Sequence, residues 1–235
     1  MLLSLKLRLK TLFAFIMLSM PLYSSIAAAQ VSDDIVDATT GLWLVASEDG
    51  SPGCRLTLQK AKTIGGYALK EEKPCAGPLH DNVYSWSFGD GTLDLRDATR
   101  KVMMSFEEQE GGPWRTPEGI TPRIYLIPEP GAMQSVPVAK NLLGTSWTLS
   151  DKKGKPLCGI QLSDRLLPDS EDVYALAVSK DCNAAVRKTK ISMWQISEIN
   201  LIFAGGEDWA FTLMLQPDGS FVSDDGKYKL VKTKQ

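Results

Sequence analysis

The sequence predicts an all-β protein in which one disulfide-stapled module is written twice. Three observations carry this expectation. Apolar residues alternate with a period of two in many short runs, the pattern of half-buried strands. Gly-, Pro- and Asp-rich turn signals separate those runs. One Trp–Cys pattern recurs: Trp43 precedes Cys54 by 11 residues, and Trp147 precedes Cys158 by 11. Many short strands at this spacing imply a sandwich or an up-and-down barrel.

The repeat extends well beyond that first pair. Cys75 precedes Trp86 by 11 residues and Cys182 precedes Trp194 by 12. Leu93 and Leu201 each follow their Trp by seven. Pro117-Glu118-Gly119 echoes Pro217-Asp218-Gly219, and the run ending in Leu126 and Ile127 echoes the one ending in Leu230 and Val231. The offset is 104 at the first Trp, the first Cys and Leu126, and it drifts to 108 and 100 between them, as short loop insertions produce. Four Cys in an exported chain suggest two disulfides, with three formal pairings. Equivalent positions in two copies bond equivalently, so the repeat selects Cys54–Cys75 and Cys158–Cys182.

The elements follow in order. Residues 1–29 read as a secretory signal peptide: Lys6, Arg8 and Lys10 give a positive start, residues 11–20 an apolar run, and Ala27, Ala28 and Ala29 a small-residue cleavage site. The apolar run is too short to span a bilayer, and the first Cys, Cys54, lies far from the cut, which argues against a lipoprotein anchor. Residues 32–39 suit either one short helix, with Ser32 as N-cap and Asp33 and Asp34 in its first turn, or an arm without regular structure. Strands are expected at Trp43/Val45, Leu56/Leu58 and Leu93/Leu95, with turns at Gly65-Gly66 and Gly89-Asp90-Gly91. Residues 128–139 form a Pro-rich linker, because proline fixes φ and donates no N–H. The second copy repeats the strands at Trp147/Leu149, Ile160/Leu162, Leu176/Val178, Phe211/Leu213/Leu215 and Tyr228/Leu230. Its turns fall at Gly205-Gly206, Pro217-Asp218-Gly219 and Asp225-Gly226. The chain thus divides into a signal (1–29), a first domain (30–127), the linker and a second domain (140–235).

Composition narrows the function. The 235 residues carry 43% apolar and 23% charged side chains and a net charge of −2. Three of the 26 basic residues and none of the 28 acidic ones fall in the signal, so the mature chain has a net charge of −5. An acidic chain with dispersed charge is no nucleic-acid binder. The single His80 excludes two-His zinc motifs, and it is assigned to a solvated loop beside Asp81. No Gly-x-Ser-x-Gly, His-Glu-x-x-His, phosphate-binding Gly loop or metal-ligand cluster occurs. An enzyme is therefore not expected, a hydrolase built on carboxylates alone being the remaining option. No cofactor is expected and membrane association is disfavoured. Of the Asp90, Asp94 and Asp97 group, Asp97 suits a strand-end turn better than a calcium ligand. Arg96, Arg100 and Lys101 are taken as a solvated basic face.

The residues Gly41, Trp43, Cys54, Leu56, Leu58, Gly66, Leu69, Cys75, Trp86, Leu93 and Leu95 resemble the bacterial metalloprotease-inhibitor family typed by the alkaline-protease and serralysin inhibitors. The second copy is similar more loosely, through Gly144, Trp147, Cys158, Leu162, Leu176, Cys182 and Trp194. The resemblance implies two tandem, small, eight-stranded antiparallel barrels, lipocalin-like in shape, with one disulfide each. It implies a periplasmic or secreted inhibitor of a zinc metalloendopeptidase, serralysin-type enzymes being the suspected target. It further implies that the N-terminal arm (Gln30, Val31, Ser32, Asp33 and Asp34) enters the protease cleft and that its terminal amine binds the catalytic zinc. The second copy has no free terminus, so it binds another surface or stabilises or positions the first. Two alternatives stand beside this expectation. One is a lipocalin-like carrier of a small apolar ligand, which needs a barrel interior not filled by its own Trp and Leu side chains. The other is a non-inhibitory envelope protein that uses its barrels as interaction modules.

Overall fold

The computed structural model describes residues 31–73, 75, 82–110, 112–131, 133–205 and 208–233, and it folds them into two closed antiparallel barrels of eight strands each. The first contains β1 (Gly41–Ser47), β2 (Cys54–Thr63), β3 (Gly66–Lys73), β4 (Ser85–Phe88), β5 (Thr92–Arg96), β6 (Val102–Glu107), β7 (Trp114–Arg115) and β8 (Ile124–Pro128). The second contains β9 (Thr145–Asp151), β10 (Pro156–Leu166), β11 (Tyr174–Val178), β12 (Met193–Ser197), β13 (Asn200–Gly205), β14 (Asp208–Leu215), β15 (Phe221–Ser223) and β16 (Tyr228–Lys232). In both, each strand pairs with its sequence neighbour and the last closes on the first. One helix, α1 (Asp33–Thr39), precedes the first barrel, and another, α2 (Ala184–Thr189), links β11 to β12.

The two barrels repeat each other residue for residue where the sequence repeat is strongest. Trp43 lies opposite Leu56 and Val45 opposite Cys54, as Trp147 lies opposite Ile160 and Leu149 opposite Cys158. Tyr67 pairs with Trp86 and Tyr174 with Trp194, and their rings stack with centroids 4.9 and 4.8 Å apart. Buried indole N–H groups need acceptors. Trp86 Nε1 donates to the Gln59 carbonyl at 3.0 Å, and Trp194 Nε1 to the Ser163 carbonyl at 3.1 Å. The disulfides join Cys54 to Cys75 and Cys158 to Cys182, closing sequence separations of 21 and 24 residues. Each bridge ties β2 or β10 to the chain after the following strand, where a thin core benefits most from a staple.

Alternation places Leu56, Leu58, Trp86, Leu93, Leu95, Phe106 and Leu126 inside the first barrel, none more than 1% exposed. Trp147, Leu149, Ile160, Leu162, Trp194, Leu201, Phe203, Leu213, Phe221 and Leu230 form one core in the second. Both interiors are thus occupied by their own side chains, the opposite of what the carrier alternative requires. Val178 is the exception among the expected inward residues, being 39% exposed. β12 pairs with β11 only at Tyr174 and Ala175, so Val178 lies beyond its cover.

The outer face of β1 and β8 is also buried. Leu44 and Ala46 point away from Trp43 and Val45, yet are 0 and 1% exposed. They pack with Tyr125 and Ile127 of β8, Met133 and Val136 of the linker, and Ile199 of the second barrel, with Met214 against them. The Pro-rich stretch is therefore a layer laid along the first barrel rather than a spacer. Gly53 N–H donates to the Gln134 carbonyl at 2.8 Å, and Arg55 Nη2 donates to the carbonyls of Gly131 and Met133 at 2.8 and 2.6 Å. Arg115 of β7 pairs with Glu198 of the β12–β13 turn at 2.9 Å. A groove of about 560 Å³ lies along this junction, lined by Ile127, Pro130, Met133, Ile199, Ile202 and Met214 among others.

Candidate functional site

The segment ahead of β1 is mounted on the first barrel by α1. Ser32 has extended backbone and caps the helix: its hydroxyl accepts from Ile35 N–H at 3.4 Å, and its carbonyl accepts from Ile35 and Val36 N–H. Asp33 and Asp34 occupy the first turn, where negative charge suits the helix dipole. A seven-residue helix does not persist alone in water, so tertiary contacts must hold it. Val36 is 0% exposed. The Thr39 carbonyl accepts from Trp43 Nε1 at 2.9 Å, while the Thr39 hydroxyl donates to the Ile35 carbonyl at 2.8 Å. Asp37 meets Lys60 of β2 at 2.6 Å. That hydrogen bond raises the Lys60 ammonium above its ordinary value, and the nearby charges of Asp37, Asp33 and Asp34 add to the effect.

Of the expected arm, Val31 and Ser32 precede the helix and Asp33 and Asp34 belong to it, so the helical alternative for residues 32–39 is the one observed. Gln30 lies outside the described residues, as do the signal segment, His80 and Asp81. The surface that α1 presents is apolar at Ile35, 51% exposed, and acidic at Asp33, Asp34 and Asp37.

The other sequence candidates are structural. Asp97 accepts from the backbone N–H of Thr99 and Lys101 and from the Thr99 hydroxyl, and these hydrogen bonds, the hydroxyl foremost, hold its carboxyl below the ordinary value. It is a turn residue. Arg96 is not part of a solvated basic face. Asp94, two residues away on the same side of β5, is 5% exposed and takes Arg96 Nη2 at 2.7 Å. Arg96 Nε donates to the Ser87 hydroxyl at 2.7 Å, and Asp94 also accepts from the hydroxyls of Thr92 and Ser105. Burial of a charge requires such pairing, and it ties β4, β5 and β6 together on the outside of the barrel. Among the described residues no group of three or more His, Cys, Asp or Glu is arranged to hold a metal ion, and no helix is long and apolar enough to cross a membrane.

The helix α2 leaves no periodic mark in the sequence. Asn183 caps it, accepting from Val186 N–H at 2.9 Å, but six residues are too few to show a helical period.

Compared with known families, residues 34–124 match the family model described as Protease inhibitor Inh. Neither the curated proteins nor the solved structures contain a match. The matched stretch starts in the first turn of α1 and ends at the first residue of β8, so it takes in the helix, the Cys54–Cys75 bridge and nearly the whole first barrel. The helix and nearly the whole first barrel are therefore similar to the protease inhibitor Inh family, and this barrel is joined here to a second barrel of the same strand order.

Proposed function

We propose that this chain is an exported, periplasmic or secreted inhibitor of a zinc metalloendopeptidase, with serralysin-type enzymes as the target class. The segment ahead of α1 enters the protease cleft. The family match over the helix and first barrel is the observation that carries the proposal. The docking of α1 supports it: a rigid mount reduces the ordering cost of placing a short segment in a cleft. The protein acts by occupying the enzyme's site, not by chemistry of its own.

The terminal amine supplies the blocking group. An α-amine has a pKa of about 7.7–8.0, so its neutral, metal-binding form is accessible near neutral pH. Bound to the protease zinc, it takes the place of the water that attacks the peptide bond. Cleavage after Ala29 leaves Gln30 and Val31 ahead of the Ser32 cap. Three extended residues reach about 10 Å, and cleavage one or two residues earlier lengthens this by about 3.3 Å each. A terminal Gln that cyclises to pyroglutamate loses its amine, so the mature terminus sets the potency.

The test is inhibition of a serralysin-type protease by the mature protein, by a form lacking Gln30 and Val31, and by one lacking residues 30–34, with the mature N-terminus sequenced. Full inhibition by the first and a large loss in both truncations is expected. Inhibition that survives both truncations removes the arm from the mechanism, and none by the mature protein removes the target class.

A further inference from the structure

The offset of 104 that carries Trp43 to Trp147 and Cys54 to Cys158 carries residues 30–34 to residues 134–138. The second copy therefore has a counterpart of the arm, and the structure shows where it goes. Val136 is 2% exposed and sits among Leu44, Ala46, Tyr125 and Ile127 on the outer face of β1 and β8. Gln134 accepts from Gly53 N–H at 2.8 Å. Gly50, at φ +77°, lies so close that an added Cβ would collide with Val138 Cγ2 and stand 3.5 Å from the Val136 carbonyl.

Beyond this stretch, residues 139–141 make a single 3-10 turn and Leu142 enters the core of the second barrel. There the Thr145 hydroxyl donates to the Leu142 carbonyl at 2.5 Å and accepts from Trp147 Nε1 at 2.7 Å. The counterpart of the arm is thus bonded to one barrel at its start and anchored in the other at its end. Ile199 and the Arg115–Glu198 pair close the same junction from the second barrel.

We infer that residues 134–138 are a clasp, not a second arm. The second barrel is a companion docked on the outer face of β1 and β8, and the chain carries a single inhibitory head. The stoichiometry of one protease per chain rests on the function proposed above, whereas the clasp does not.

Two measurements on the full-length mature protein separate these. Hydrogen exchange in water should show Gly53 N–H, which donates to the Gln134 carbonyl, and Met133 N–H, which donates to the Pro130 carbonyl, exchanging at least about a thousandfold slower than in a free peptide. The variant Val136→Asp should lose most of that protection while the amides of β4 and β5 keep theirs. Native mass spectrometry with excess serralysin-type protease should show one protease per chain. Peptide-like exchange at Gly53 N–H overturns the clasp, and two proteases bound per chain overturns the single head. Protection without any complex retains the clasp and removes the inhibitor proposal instead.

Discussion

Val36→Ala tests whether α1 is a mount held by its one fully buried side chain. Val36 is 0% exposed, and the substitution removes two carbons from a closed site. Transfer and cavity terms together give a loss of about 2 kcal/mol. The loss falls on helix docking rather than on the barrel, because β1 to β8 close without Val36. The Thr40 amide donates to the Val36 carbonyl at 3.1 Å and exchanges only when the helix lifts. At 1.4 kcal/mol per decade, its exchange should speed up by about 30-fold. Potency should move far less, because apparent affinity follows the docked fraction, and a helix docked by about 3 kcal/mol stays mostly docked after losing 2. Val36→Asp places a carboxylate in the same site and should undock the helix outright, lowering inhibition by the full contribution of the mount. NMR exchange at Thr40, the Trp43 indole N–H signal and inhibition assays read the three quantities. Unchanged Thr40 exchange alongside a fall in barrel melting temperature would refute the reasoning, since it would make Val36 part of the barrel core.

Removing either disulfide by a Cys54→Ala/Cys75→Ala or a Cys158→Ala/Cys182→Ala pair should cost about 3 kcal/mol, nearly the same for both loops in the chain-entropy model, as denaturant titration can show. Trp86→Phe and Trp194→Phe each strand a carbonyl, of Gln59 or Ser163, and leave a cavity, so each should cost about 2–3 kcal/mol, and a marked inequality would contradict the equivalence of the barrels. A double-mutant cycle of Arg115→Ala and Glu198→Gln should give a coupling of about 1 kcal/mol, zero coupling meaning that the pair does not join the barrels in solution. Asp218 is held down to about 2 by the Ser220 hydroxyl, Ser220 N–H and Lys229, and Asp225 to about 2 by Lys227 and the Ser223 hydroxyl. Both folded values lie below the unfolded one near 3.8, so the stability they add is complete above that pH and drains away as pH falls towards 2. An Asp218→Asn/Asp225→Asn variant should be less stable at pH 6 and show a flatter acid titration.

The duplication was legible because aromatic and sulfur-bearing residues keep their spacing while loops drift. The repeat that Trp43, Cys54, Trp147 and Cys158 mark predicted the pairing of the bridges. What lay beyond reach was the face that a barrel turns outward. Alternation picked out Trp43 and Val45 and left Leu44 and Ala46 unassigned, although an unbroken apolar run is the sign of a strand buried on both sides. The partner covering that face comes from residues 133 and 136 and from Ile199, and no local pattern links such distant positions. Arg96 was misread for a related reason. Its partner Asp94 sits two residues away on the same strand face, a spacing that the sequence did display. The helix α1 was one of two alternatives that Ser32, Asp33 and Asp34 offered, and its attachment through Val36 and Trp43 required the closed barrel.

Closure of both sheets has a consequence for recognition. A peptidase commonly grips its substrate as an added β-strand, main chain to main chain. β1 and β8 satisfy one another, as do β9 and β16, so among the described residues the seams that close the two barrels offer no free strand edge to such a grip. An enzyme seeking extended polypeptide therefore finds no open sheet edge at either of these seams.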